Sequence, residues 1–217
     1  MARTRAGSES TGMFGRTSDP LPPAVADKPA ALKILRAEVA GCVLCPELAN
    51  SRTQTVFSDG TENAELCFVG EAPGADEDAT GVPFVGRAGQ LLTKIIEACK
   101  LRRDEVYICN VLKCRPPGNR TPEEGEMSNC SGFLDRQLAV VRPKLMVALG
   151  KVATAFLLGQ KLTQVPIMKL RGQWKDYKGI PFMPTLHPSY LLRNPDDKRL
   201  VWDDMKAVMQ RLGRPVD

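Results

Sequence analysis

The residues able to do chemistry are a lone histidine, a strand-end amide, an acidic glycine-rich loop and a set of cysteines. The loop runs from Gly70 to Leu92, GEAPGADEDATGVPFVGRAGQLL, directly after the apolar run Leu66 to Val69. It holds Glu71, Asp76, Glu77 and Asp78, and one aromatic, Phe84. A positioned carboxylate such as Glu71 can act as a general base. The run Asp76 to Asp78 reads as a solvated cluster. Phe84, between Pro83 and Val85, is either a core residue or a stacking face for a flat ligand. His187 opens the proline-stiffened stretch His-Pro-Ser-Tyr-Leu-Leu-Arg. It is either satisfied by a hydrogen bond within a loop or presented to a crevice. Asn110 ends an apolar strand. Its amide either forms a turn or offers one donor and one acceptor to the edge of a planar base.

Four of the seven cysteines form two local pairs, Cys42 with Cys45 and Cys114 with Cys130. Four cysteine ligands serve an iron–sulfur cluster or structural zinc. The CxxC spacing of the first pair also fits a redox dithiol. Cys114 and Cys130 also fit unpaired core thiols, and spacing does not choose among these. Cys67, Cys99 and Cys109 sit in apolar segments and read as buried, reduced thiols. The segment Lys113 to Arg120, KCRPPGNR, is basic, so Arg115 and Arg120 can touch phosphates or simply be solvated. Arg87 precedes a helix start that is a second ready phosphate site.

These groups need a scaffold. The chain has 217 residues, 43% of them hydrophobic, which suits one domain with a full core. No stretch of roughly 18 apolar residues occurs, so no membrane partner is expected. The reduced cysteines and the start MARTRAGSES, which lacks an apolar core, point to a cytoplasmic location. The net charge of +5 is compatible with a polyanionic partner without demanding one. Residues 1–27 lack periodicity and read as a disordered or loosely attached tail, leaving 28–217 as the domain. Helices are expected over Ala31–Ala40, Ala88–Lys100, Thr121–Val140, Lys151–Leu158 and Asp197–Leu212. The fourth of these follows a strand directly. In the third, Thr121 caps, Pro122 fits the first position and Glu124 reaches back. Strands are expected over Glu65–Val69, Val106–Val111, Lys144–Leu149 and Ile180–Pro184. Arg171 to Lys178 offers an antiparallel ribbon. Alternating strands and helices imply an α/β fold: a three-layer α/β/α sandwich around a mostly parallel four-stranded sheet. Its strand ends deliver Glu71, Asn110, Gly150 and His187 to one crevice.

GEAPGADED, GVPFVGRAGQLL, CNVLKCRPPGNRTP and LHPSYLLR, in that order, resemble the family 4 uracil-DNA glycosylases. The resemblance runs from Cys42 to the closing helix. It implies a [4Fe–4S] cluster on Cys42, Cys45, Cys114 and Cys130. It implies uracil excision from single- or double-stranded DNA by a monomer that works at the nucleoid. Glu71 matches the carboxylate considered for the attacking water, and Gly70, Ala72 and Gly74 the backbone that holds the base. Phe84 matches the stacking aromatic, Asn110 the uracil-reading amide and His187 the histidine of the second motif. Leu191, Leu192 and Arg193 match the loop that enters the duplex. Ala79 to Val82 depart from the more polar residues usual there. A related branch that becomes trapped on uracil DNA carries GEQPG and an extra histidine. This chain has GEAPG and one histidine, which implies turnover.

Overall fold

A computed structural model describes residues 20–216. Most of the expected tail, residues 1–19, lies outside the described residues. Of the remainder, Leu21 packs against the core and the Pro22 carbonyl accepts from Arg142.

The centre is four parallel strands: β2 (Leu66–Gly70), β3 (Tyr107–Asn110), β4 (Leu145–Leu149) and β6 (Ile180–Thr185). Two short antiparallel edges, β1 (Asp59–Gly60) and β5 (Lys175–Tyr177), extend the expected four strands to six. The order is β1-β3-β2-β4-β6-β5. β5 belongs to the ribbon expected near Arg171 to Lys178. β1 has two residues and too little sequence for a periodic pattern. At its Gly60, φ is +90°, and a methyl would sit 1.8 Å from the Val106 carbonyl oxygen.

Side chains alternate across a strand, so the sheet builds a core on each face. Cys67 and Val69 of β2 join one core with Leu134 and Leu138 of α5 (Glu124–Val141) and Phe156 of α6 (Gly150–Leu158). Leu66 and Phe68 join the other with Leu92 and Ile96 of α4 (Arg87–Ala98) and Met205 and Val208 of α9 (Lys198–Arg211). α1 (Lys28–Ala40) adds a small outer cluster of Leu35, Val39 and Phe57. Among the described residues no helix is long and apolar enough to cross a membrane.

Two local expectations change. The α5 helix starts at Glu124 rather than at Thr121. The acid that reaches back is Glu126, which accepts from the Glu123 amide at 2.8 Å. The acidic run also becomes a helix, α3 (Ala75–Thr80), and is not a solvated cluster. Asp78 is 3% exposed and both its oxygens accept from the Thr53 amide.

Candidate active site

The carboxyl ends of β2, β3, β4 and β6 open onto one cleft of about 600 Å³. Glu71, Phe84, Asn110, Gly150 and His187 line it. The chain passes from β2 to β3 on one side of it and then crosses from β3 to β4 on the other. A crevice beside such a reversal is where open α/β sheets bind ligands.

Phe84 adopts φ +55°, a left-handed conformation that costs a non-glycine residue about 1 kcal/mol or more. Neighbours fix it from both sides. The Arg103 guanidinium donates to the Pro83 carbonyl at 2.5 Å. The Val85 and Gly86 amides donate to Glu77 Oε1 at 2.9 and 3.0 Å. Glu77 Oε2 accepts from the Gly74 amide at 3.0 Å. One carboxylate therefore clasps both ends of the glycine-rich loop. Gly89 completes the clasp, since a methyl there would lie 1.9 Å from the Phe84 carbonyl. Glu77 and Gly89 are positioning residues that sequence reading missed. The available signal was an acid three residues after Gly74, a capping-box spacing.

Asn110 is 2% exposed, and its Oδ1 has no hydrogen-bond partner among the described residues. A buried acceptor without a donor costs about 1–3 kcal/mol. Such a group beside a cleft is open to a donor from whatever enters it, a water or a ligand N–H. Oδ1 faces Phe84 across Gly70: a methyl on Gly70 would lie 2.3 Å from Oδ1 and 2.5 Å from the Phe84 ring. Gly70→Ala is expected to destabilise the fold by about 1–3 kcal/mol through overpacking. It should also displace Phe84 or Asn110, so thermal unfolding and ligand binding should fall together.

His187 follows β6 and caps α8 (Pro188–Arg193). Its Nδ1 accepts from the Ser189 amide at 3.1 Å. Burial first, then the nearby Arg193 charge, pushes the imidazole down to about 4, against a smaller pull from Glu77. At neutral pH the ring is uncharged. With Nδ1 accepting, its proton sits on Nε2. The ring centroid lies 5.7 Å from that of Phe84. Gly150 allows this approach, because a methyl there would lie 2.8 Å from the His187 Cβ. Burial also raises the Glu71 carboxyl to about 7.

The outer residues divide. Arg87 and Arg193 are exposed at the cleft wall. Arg115 is half-buried and donates to Asn119. The Arg120 guanidinium is held by both Glu126 oxygens and by Glu47. Leu191 is 1% exposed and belongs to the core, so the expectation that it enters a duplex does not fit its burial. Leu192 is 39% exposed and faces outward.

The expected cysteines lie in the loop before α2 (Pro46–Ser51), in the loop after β3 and in α5. Cys42 and Cys45 are half-buried, Cys114 and Cys130 buried, all as free thiols. Among the described residues no three His, Cys, Asp or Glu side chains stand in metal-ligating geometry. The four thiols still share one electrostatic neighbourhood. Burial raises Cys114, and Cys42 and Cys45 add to the rise. Burial pushes Cys130 up to about 12, with Cys114 and Cys45 adding to it. Thiols that oppose one another's ionisation can all be thiolates only around a cation. Arg52 donates to Cys114 Sγ at 3.0 Å and Asn129 to Cys45 Sγ at 3.4 Å. Four cysteine sulfurs are the donor chemistry of an iron–sulfur or zinc centre, although their placement here does not bring them into ligating geometry.

A family profile described as "Uracil DNA glycosylase superfamily" matches residues 57–206. A protein of Thermotoga maritima named type-4 uracil-DNA glycosylase is 45% identical over 180 residues, covering 82% of this chain and 92% of its own. The chain belongs to the uracil-DNA glycosylase superfamily, in its type-4 branch. A type-4 uracil-DNA glycosylase of Archaeoglobus fulgidus is 39% identical over 182 residues, covering 82% of this chain and 91% of its own. A type-5 uracil-DNA glycosylase of Pyrobaculum aerophilum is 30% identical over 200 residues, covering 78% and 87%. The superfamily match spans the whole cleft, from before β2 to within α9. The CxxC loop at Cys42 and Cys45 precedes it.

Proposed function

We propose that the chain hydrolyses the N-glycosidic bond of uracil in DNA and leaves an abasic site for repair. The observation that carries this reading is the orphaned Asn110 Oδ1 beside the Phe84 ring. The uracil N3–H supplies the missing donor, and the amide nitrogen donates to O4. Cytosine has an acceptor at N3 and a donor at C4, so it leaves both ends of the amide unpaired. The Phe84 ring stacks on the base.

The target nucleotide is flipped out of its stack, at a cost of a few kcal/mol. Leu192 fills the vacated gap, while Arg87, Arg115 and Arg193 hold the backbone. Leu192→Ala is expected to slow excision from duplex about tenfold, with less effect on a single strand, where there is no stack to fill. Equal losses on the two substrates would remove the wedge role.

As the bond stretches, the sugar becomes cationic and the uracil anionic. His187 Nε2–H donates to uracil O2 and stabilises that anion without moving a proton. Glu71 orients and deprotonates the water that attacks C1′. With its carboxyl raised to about 7, Glu71 becomes a base only as the pH passes that value. The excision rate should therefore rise from pH 5.5 to pH 8 with a midpoint near 7. Glu71→Gln should lower the rate and flatten that rise. A wild-type slope that survives in Glu71→Gln would assign the base elsewhere.

Cys42, Cys45, Cys114 and Cys130 hold a [4Fe–4S] cluster in this reading, and when bound it supplies a cross-link between two loops rather than electrons. Incubation with uracil-containing oligonucleotides, single-stranded and paired, followed by alkaline cleavage at abasic sites, tests the whole reading. Cleavage at uracil alone is expected. No product from either substrate would overturn it.

A further inference from the structure

We infer that Lys113 is a positioning residue that ties the uracil-reading amide to the cysteine loops. This rests on the role given to Asn110 above. Lys113 is 1% exposed, a rare burial for a lysine. Its Nζ donates to the Asn110 carbonyl at 2.6 Å. Its backbone amide lies beside the Cys130 thiol and favours that thiol's ionised form, and the next residue is Cys114. Its own carbonyl accepts from the Val56 amide at 2.8 Å. One residue thus connects the strand end that carries the base-reading side chain to two of the four cysteines.

The physical need is clear at the end of β3. Val111 and Leu112 donate to the Gly70 and Glu71 carbonyls, at 2.9 and 3.0 Å, which fixes one edge of the chain. The Asn110 carbonyl on the other edge is held by Lys113 Nζ. Rotation of that peptide plane would swing the Asn110 Cβ and move Oδ1 away from Phe84. A buried acceptor used for recognition tolerates little such movement, since misplacement by about 1 Å can cost 10²-fold.

A double-mutant cycle tests this on the iron-loaded protein. Lys113→Met keeps the length and apolar stem of the side chain but removes the donor. It is expected to retain iron and to bind abasic-site duplex normally. Its single-turnover excision of uracil should fall about 10- to 100-fold. In an Asn110→Ala background the same substitution should cost less than about twofold, because there is no amide left to aim. Lys113→Gln, with a donor of shorter reach, should recover part of the rate. An equal penalty in both backgrounds, or no penalty at all, would overturn the proposal. So would loss of fold and iron in both Lys113 variants, which would make the lysine a general structural residue. If Asn110→Ala alone excises normally, the base-reading role itself fails, and the cycle reports that separately.

Discussion

Replacing His187 by alanine is expected to slow single-turnover excision about 10²–10³-fold while leaving affinity for abasic-site duplex nearly unchanged. The effect is large because the donor is fixed before the reaction begins. Nδ1 is occupied by the Ser189 amide, so Nε2–H cannot rotate into another role. With the imidazole held near 4, the ring is neutral from pH 5 upward, and no rate limb near pH 6.5 should belong to it. His187 also caps α8, so truncation removes a cap worth about 1 kcal/mol. His187→Asn separates the two roles, because it keeps an acceptor for the helix but not the Nε2–H donor. A His187→Asn protein that melts like wild type yet remains slow assigns the loss to the donor. Full activity in either variant would take His187 out of the chemistry.

Asn110→Ala is expected to cost a similar factor, about 10²–10³, and to change selectivity as well as rate. In the proposed reading the amide rejects cytosine because burial leaves no water to repair a mismatched pattern. Removing it lowers the rate on uracil without creating a site for cytosine, so the uracil-to-cytosine ratio of single-turnover rates should shrink. The apo protein should be no less stable, since the Oδ1 it loses is an unsatisfied buried acceptor. A variant that is slow, equally selective and less stable would instead describe a structural asparagine.

The proposed roles of these two groups require a rigid glycine-rich loop. Glu77 supplies the rigidity by accepting three backbone N–H groups, from Gly74, Val85 and Gly86. Its neighbours divide the remaining work. Asp78 secures the loop to Thr53, and Glu71 keeps its side chain toward the cleft. Three of the four acids in this stretch thus have separate jobs, and only one of them touches the proposed reaction.

The alternation of apolar strands with amphipathic helices determined the α/β class and the four parallel strands. Each of those strands is buried along nearly its whole length, with turn chemistry at its ends, and such a pattern is local. Strand order also placed Glu71, Asn110, Gly150 and His187 in one crevice, because strand ends of a parallel sheet converge, while Phe84 joined them only through the motif resemblance. Tertiary structure alone decided the rest. The β1 and β5 edges are two and three residues long, and pairing with a neighbour defines them more than their own sequence does. Leu191 and Leu192 are adjacent and chemically alike, yet one is in the core and the other outside, because rotation about α8 sets which side faces the sheet. The acidic run looks like a solvated patch until backbone amides from nine residues away arrive at Glu77. The unpaired state of Asn110 Oδ1 is a property of what surrounds it, and no pattern along the chain records the absence of a donor.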